Sequence, residues 1–358
     1  MTSSDQGKTK AAPADHLSDF SRAILKAAGA DEATARDATR AMLHASIHGI
    51  DSHGVRLLPH YQAALRGGRL NGRPQVTFTR IKPGTGMLDA DHAHGARAMY
   101  EAVERAAELA GETGIAAVAV SNSSHFGAAG AYTLELAGRG LGGMVFGNSD
   151  SLVRLHDGAK RFHGTNPISV AFPTAGNPWL LDMATSSIPW NRVQLYRSTG
   201  TTLPTGIASN AAGRDVDDPR EAEMLAPLGG EFGFKGAGLA GVAEIFSAVM
   251  TGMHISPDLM SMDDPDLSTP RRLGAFIIAF DPAAFVTGAV FSTGMEHYLA
   301  SLRDSPPRDG ARVLAPGDRE WQEAERRRSQ GIPLDPATID AFKHLESTTG
   351  IRLQTAPE

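Results

Sequence analysis

Cysteine is missing from all 358 residues of the chain. Disulfides, thiolate catalysis and cysteine–zinc centres are therefore excluded. A strong excess of either charge is missing too. Lys and Arg number 34 against 40 Asp and Glu, a formal net charge of −6. Such a balance gives no electrostatic reason to expect nucleic acid or an anionic membrane surface as partner. No apolar run approaches the roughly 20 residues of a membrane span. Met1 to Ala14 is polar and lacks the apolar core of a signal peptide, so the expected location is cytoplasmic. No internal repeat is visible.

What remains is the composition of a soluble globular protein, 41% hydrophobic and 21% charged. The length is enough for one large unit or two domains. Residues 1–14 read as a disordered tail. Helical spacing is clear over Ser18–Gly29, Asp31–Ile47, His60–Leu70, Ala96–Ala110, Gly127–Arg139 and Gly236–Gly252. It returns over Ala289–Asp304, Gln322–Gly331 and Asp335–Leu345. Strand patterns fall at Val76–Leu88, Ile115–Val120, Gly143–Gly147, Ile168–Phe172, Trp179–Met183 and Leu273–Phe280. Ile188 to Glu231 reads as loop-rich. Strands thus concentrate between about 76 and 288, with helices at both ends. The expected architecture is an α/β (α+β) fold, a sheet domain over 76–288 inserted into a helical domain built from 15–75 and 289–358.

The block His48-Gly49-Ile50-Asp51-Ser52-His53-Gly54-Val55-Arg56 carries the sharpest chemical signal. It follows a helical segment and puts an imidazole three positions before a guanidinium. If the helical path continues, His53 and Arg56 share a face. One would exchange a proton near neutral pH, and the other would hold a carboxylate by a two-pronged hydrogen bond. Two glycines within six residues suit a purely structural helix poorly. A capped helix end with a surface His and Arg is the plain alternative.

Gly236-Ala237-Gly238-Leu239-Ala240-Gly241 matches G-x-G-x-x-G. A dinucleotide loop needs a strand directly before this motif and a helix after it. The helix is there, but Pro227 to Lys235 is a loop, so a Rossmann site is rejected. Lys235 and Gly236 nonetheless open a helix, where free N–H groups favour an anion such as a cofactor phosphate. The glycines would equally serve close helix packing.

Other candidates follow strands. Ser121 to Gly127 ends a buried strand and makes His125 a second acid/base or donor candidate; an N-cap with a surface histidine explains the same residues. Asn148-Ser149-Asp150 follows the next strand, and Asp150 would be placed to fix a histidine tautomer as a triad carboxylate does. Gly164-Thr165-Asn166-Pro167 is a tight turn with ligand-capable hydroxyl and amide groups, although such turns are often structural. Asp182-Met183-Ala184-Thr185-Ser186 presents small polar residues after a strand. His44 and His48, and His92 and His94, are the only paired histidines of interest, and no H-E-x-x-H is present. No metal is expected.

Taken in order, these words resemble the type-2 malate/L-lactate dehydrogenase family, which includes ureidoglycolate dehydrogenase, diketogulonate reductase and Δ1-piperideine-2-carboxylate reductase. The matching words are Asp51-Ser52-His53-Gly54, Ser124-His125-Phe126-Gly127-Ala128-Ala129-Gly130, Asn148-Ser149, Gly164-Thr165-Asn166-Pro167, Asp182-Met183-Ala184-Thr185-Ser186, Leu203-Pro204, Asp218-Pro219, Lys235-Gly236-Ala237-Gly238-Leu239 and Pro316-Gly317. Together they run over nearly the whole chain.

The resemblance implies NAD or NADP as cofactor, held on a mostly antiparallel, non-Rossmann sheet domain, and a homodimer with the active site near the subunit interface. It implies hydride transfer at C2 of a small 2-oxo or 2-hydroxy acid. Reduction of a cyclic imino acid is the alternative within the family. A metal-dependent hydrolase and a non-catalytic binding protein are the remote alternatives outside it. His53 matches the proton donor, His125 a second active-site histidine, and Arg56 the carboxylate clamp with Ser52 beside it. Ser149, Thr165, Asn166, Asp182, Met183, Ala184, Thr185, Lys235, Gly236, Pro316 and Gly317 are implied at the cofactor, with Ser149 near substrate as well. Arg271 lies near a substrate-contact position. Departures from the family pattern include Leu57 where the clamp arginine more often stands. Asn191-Arg192 replaces a Gly-Lys pair, Gly206-Ile207-Ala208 replaces Gly-Trp-Ala, and the loop Gly229 to Lys235 is longer.

Overall fold

The computed structural model describes residues 10–354. In chain order the N-terminal part comprises strand β1 (Lys10–Ala12) and helices α1 (Ala14–Ala27), α2 (Glu32–Ile47) and α3 (Leu58–Gly67). The middle holds β2 (Thr77–Lys82), β3 (Thr85–Asp89), α4 (Gly95–Thr113), β4 (Ile115–Ser123), α5 (Gly130–Ala137), β5 (Gly142–Gly147), β6 (Val153–Arg154), β7 (Arg161–His163), β8 (Ile168–Phe172) and β9 (Trp179–Met183). It continues with α6 (Trp190–Thr199), β10 (Ala208–Ser209), β11 (Met224–Leu225), α7 (Phe234–Glu244) and β12 (Leu273–Phe280). The C-terminal part is α8 (Gly288–Arg303), α9 (Asp318–Gln330), β13 (Ile332–Leu334) and α10 (Pro336–Thr349).

The main sheet has seven strands in the order β2-β3-β4-β12-β5-β8-β9. Only β3 and β4 run parallel, joined by the crossover helix α4; the other neighbours are antiparallel. This is the mixed, mostly antiparallel and non-Rossmann sheet that was expected. β12, read as one apolar run, is buried on both faces at the centre of the sheet because β4 and β5 flank it. The apolar stripe of α4 packs on β4 and β12 through Met99, Val103, Ala106 and Val118.

A second core joins α1, α2 and α3 to the C-terminal segment through Leu17, Phe20, Leu58, Tyr61, Ile332 and Phe342. It brings the two ends of the sequence together. Asp31 caps α2 by accepting the Thr34 N–H at 2.7 Å, and Asp335 caps α10 in the same way from Thr338 at 3.0 Å.

Three expectations need correcting. The tail expected over 1–14 is ordered from Lys10 onward, because β1 pairs antiparallel with β13; residues 1–9 lie outside the described residues. The stretch expected to be loop-rich contains α6, whose aromatic and basic side chains give no amphipathic stripe and which buries only Val193. The apolar segment 236–252, expected to be a buried helix, is α7 followed by a π-helical turn over Ile245–Val249, with its outer face exposed.

Candidate functional site

The block that opened the chemical argument folds differently from a continued helix. Two short 3-10 turns, Asp51–His53 and Val55–Leu57, are separated by Gly54 in an extended conformation. Gly54 packs so closely on Ser46 that a Cβ would collide with its hydroxyl. The break sends His53 and Arg56 to different places. Arg56 is exposed and lines a cavity of about 280 Å³ with Asp51, Asp335 and Thr338. His53 turns instead toward His125, and their rings stack at 5.4 Å with 24° between planes. The shared face expected for His53 and Arg56 does not form.

Each histidine has its own partner on Nδ1. Ser52 Oγ lies 2.8 Å from His53 Nδ1, and the Tyr61 hydroxyl lies 2.7 Å from His125 Nδ1. Tyr61 in turn meets His94 edge-on at 4.2 Å between ring centroids. His94 spends its own Nδ1 accepting the Ala96 N–H at the start of α4. Desolvation holds His53 down at about 4. It holds His125 well below the usual imidazole range, reinforced by His53, Arg271, His60 and His94. Both imidazoles are neutral at pH 7.

Asp150 was expected to orient a histidine. It orients an arginine. Arg271 Nη2 donates to Asp150 Oδ1 at 2.5 Å, and Arg271 Nε donates to the Met260 carbonyl at 2.9 Å. Both histidine Nδ1 atoms already have hydroxyl partners, which leaves Asp150 no tautomer to fix. Arg271 is 5% exposed, and its charge is felt at His125, His60 and Tyr61. Its Nη1 has no protein partner among the described residues.

The remaining candidates form a second, connected group. Ser149 Oγ accepts the Thr165 N–H at 3.1 Å. The Thr165 carbonyl accepts both the N–H of Thr185, at 2.9 Å, and its hydroxyl, at 3.1 Å. The Thr185 carbonyl accepts the Leu228 N–H at 2.9 Å, and Leu228 sits against Gly236 so tightly that a Cβ there would run into its carbonyl. Lys235 is exposed, with Nζ 5.3 Å from the Phe232 ring centroid. Asp182, Met183 and Ala184 lead from the end of β9 into Thr185, and the Pro316 carbonyl accepts Leu180 N–H of the same strand at 3.3 Å. Gly317, at φ +96°, lies against Leu180. Asp182 Oδ2 accepts the Gly130 N–H at 2.8 Å. Burial raises the Asp182 carboxyl to about 6 in spite of that bond.

Three residues that organise these two groups gave little warning in the sequence. Glu244 is 6% exposed and accepts from Asn148 Nδ2 (3.1 Å), Asn166 Nδ2 (2.6 Å), Ser256 N (2.6 Å) and Ser256 Oγ (2.7 Å). It pins the loops after β5 and β7 to α7. A lone acid inside the apolar run 236–252 was the signal that could have marked it. Arg327 on α9 clamps Asp51 with two bonds and also donates to the Ser46 carbonyl, which fixes the block carrying His53. Tyr61 was missed too. A tyrosine on the core side of a helix must still place its hydroxyl.

His44 and His48 stack at 4.3 Å, and among the described residues neither hydrogen-bonds to or stacks on His53 or His125. Among the described residues no three His, Asp or Glu side chains are arranged to hold a metal, and no helix is long and apolar enough to cross a membrane.

The geometry has clear relatives. Residues 12–343 match the family model for malate/L-lactate dehydrogenase. The chain is 32% identical over 348 residues to malate dehydrogenase of Pyrococcus abyssi, covering 95% of each. It is 33% identical over 326 residues to (2R)-3-sulfolactate dehydrogenase (NADP(+)) of Chromohalobacter salexigens, covering 90% of this chain and 93% of the relative. The solved sulfolactate dehydrogenase of Methanocaldococcus jannaschii superposes with a TM-score of 0.90 at 26% identity, over 96% of this chain and 98% of the other. With a family model matched over residues 12–343 and relatives above 30% identity over nine-tenths or more of the chain, the chain belongs to the malate/L-lactate dehydrogenase family.

Proposed function

We propose that the protein is an NAD(P)-dependent oxidoreductase acting at C2 of a small 2-oxo or 2-hydroxy acid. The observation that carries this reading is one constellation: two neutral, stacked imidazoles beside a buried guanidinium that keeps one nitrogen free. Arg271, held by Asp150 and the Met260 carbonyl, offers Nη1 to the substrate carboxylate. This gives Arg271 the clamp role first expected of Arg56. His53, with Ser52 on Nδ1, exchanges the proton at the substrate oxygen through Nε2. His125 stands beside it as the second polar contact.

The residues present fit a nicotinamide dinucleotide. Ser123 Oγ and Asn148 Oδ1 are buried at the ends of β4 and β5 without partners among the described residues and are available to polar ligand groups. Gly127, at φ +81°, leaves open space beside the His53 carbonyl, where a Cβ would meet nothing closer than 3.9 Å. A bound nicotinamide would supply or accept the hydride. Ser149, Thr165, Asp182, Met183, Ala184, Lys235 and Pro316 form the accessible side of the connected group that would hold it, with the buried Asn166, Thr185, Gly236 and Gly317 behind them. Lys235 at the start of α7 favours phosphate.

The same site suits reduction of a cyclic imino acid, since a C=N bond next to a carboxylate needs the same proton, hydride and clamp. The test is a panel of 2-oxo, 2-hydroxy and cyclic imino acids followed at the nicotinamide absorbance with NADH and NADPH and with their oxidised forms. Turnover of an acid in one class is expected. Absence of turnover across the panel would overturn the reading.

The working form we propose is a cytoplasmic homodimer. Cytoplasmic location is supported by the lack of cysteine, as expected of a chain that works in a reducing compartment. Dimerisation is supported by two exposed apolar faces. One runs along α7 and its π-helical extension through Leu239, Val242, Ile245 (53% exposed) and Val249 (63%). The other is α8, a 16-residue helix that buries only Leu299 and exposes Val290 and Tyr298. Faces of this size on one chain ask for a cover, and a second copy supplies the same apolar chemistry. Light scattering should give twice the chain mass, and Ile245→Asp should shift it toward one chain.

A further inference from the structure

The two active-site histidines are not equivalent, and the difference lies in the hydroxyl each one meets. Tyr61 is 2% exposed, and its hydroxyl has a single partner among the described residues, His125 Nδ1 at 2.7 Å. A hydroxyl carries one proton that it must place, and a buried one left unplaced is costly. Among the described residues the only acceptor it meets is His125 Nδ1. Tyr61 therefore donates, Nδ1 accepts, and the imidazole proton of His125 is confined to Nε2. Burial raises the Tyr61 hydroxyl far above its ordinary value, so it remains a donor at every working pH.

Ser52 imposes no such order on His53. Its hydroxyl meets His53 Nδ1 at 2.8 Å, but Ser52 is only half-buried, and its hydroxyl hydrogen turns about the Cβ–Oγ bond without moving Oγ. It donates or accepts as the ring requires. His53 can therefore pass between its neutral and charged forms with Nδ1 satisfied in both.

We propose that Tyr61 is a positioning residue that locks His125 as the Nε2–H tautomer, so that His125 is a fixed hydrogen-bond donor to the substrate oxygen or nitrogen while His53 alone moves the proton. This deepens the dehydrogenase reading above and rests on it for the substrate. In the oxidative direction C2 gives up its hydride, the O–H bond pair becomes the C=O π bond, and the neutral His53 takes the proton at Nε2, passing from imidazole to imidazolium; reduction is the reverse, with His53 first taking up a proton. His125 keeps its proton throughout and polarises the bond from Nε2, as a neutral imidazole donor can. A charged His125 would have to place a second proton on Nδ1, where the Tyr61 proton already sits. His53, His60, His94 and Arg271 are the other titratable or charged groups around His125. Arg271, which is permanently charged, opposes the imidazolium further.

The test has a readout that does not depend on turnover. Protein labelled with ¹⁵N in its histidines is compared with the Tyr61→Phe variant, and the His125 ring signals are assigned by their loss in His125→Gln. The account expects an unprotonated, pyridine-type Nδ1 and a protonated Nε2 in the unmodified protein, at pH 7 and at pH 6. Tyr61→Phe should release that preference, giving mixed or exchanging ring signals. It should lower kcat on the order of tenfold, the kinetic weight of one orienting hydrogen bond, with KM nearly unchanged. A protonated Nδ1 in the unmodified protein would overturn the proposal. So would ring signals in Tyr61→Phe identical to those of the parent. Failure of the acid panel would remove the substrate reading and leave the tautomer result standing, so the two failures are distinguishable.

Discussion

His53 and His125 stack 5.4 Å apart although 72 residues of sequence separate them, because the Gly54 break turns one inward and the end of β4 delivers the other. Two imidazoles at this separation cannot both hold a charge cheaply in a desolvated pocket. The division of labour between them follows from that.

Removing His53, the proposed proton carrier, should cost most. His53→Gln should lower kcat by about 10²–10⁴, the usual weight of positioned acid–base catalysis, while dinucleotide affinity measured by fluorescence titration stays within about twofold of the parent. Full activity in His53→Gln would move the proton to another group.

The clamp assignment separates two arginines. Arg271→Lys should raise KM for the acid strongly, because an ammonium cannot reproduce the planar fork and would leave Asp150 poorly matched. Arg56→Lys should leave KM unchanged, since Arg56 lies exposed near Asp335. The reverse pattern in steady-state kinetics would restore the clamp to Arg56.

Glu244→Gln replaces an acceptor of four hydrogen bonds with a group that must also donate. The amide would face Asn148, Asn166 or Ser256 donor to donor. A loss of about 2–3 kcal/mol is expected from unsatisfied buried donors, read as a lower midpoint in urea. Dinucleotide affinity should fall with it, because the loops bearing Ser149 and Thr165 lose their anchor. A variant of unchanged stability would show that this network is not holding the loops.

The pH dependence of stability follows from the buried histidines. His44 and His94 are held at about 3 and His53 at about 4 by desolvation, against 6.5 for an ordinary imidazole. A folded value below the unfolded one means that the unfolded chain binds more protons between the two. Stability is therefore full above about 6.5 and is lost as pH falls toward 4. Asp182 works in the opposite direction, gaining a proton in the folded state between about 6 and 3.8. Three such histidines outweigh one carboxyl. Each contributes a slope of about 1.4 kcal/mol per pH unit over its own window. Thermal scans between pH 7 and 4.5 should show a steadily falling Tm, and a flat profile would contradict the neutral, buried state of these rings.

Much of the fold was legible in the sequence, for identifiable reasons. Ile168–Phe172, Trp179–Met183 and Leu273–Phe280 came out with their observed bounds, since short apolar runs between turn residues leave few other structures open. The decoy G-x-G-x-x-G was recognised because no strand precedes it. At the site, His53 and His125 were legible as residue types at strand and helix ends. The face expected for His53 and Arg56 did not form because their spacing was read as a continuous helix, and Gly54 broke it. Asp150 misled because its partner Arg271 lies 121 residues away. Tyr61, Glu244 and Arg327 act through long-range hydrogen bonds that no local pattern encodes.

The central claim is hydride transfer at C2 of a small carboxylic acid, and isotope tracing tests it most directly. The protein is incubated with reduced nicotinamide cofactor deuterated at both C4 positions of the ring, together with the acid selected from the panel, and the product is read by NMR and mass spectrometry. The account predicts one deuterium per product molecule, at C2, with the new O–H or N–H proton drawn from solvent. Deuterium at any other carbon, or product formed with none, would contradict it.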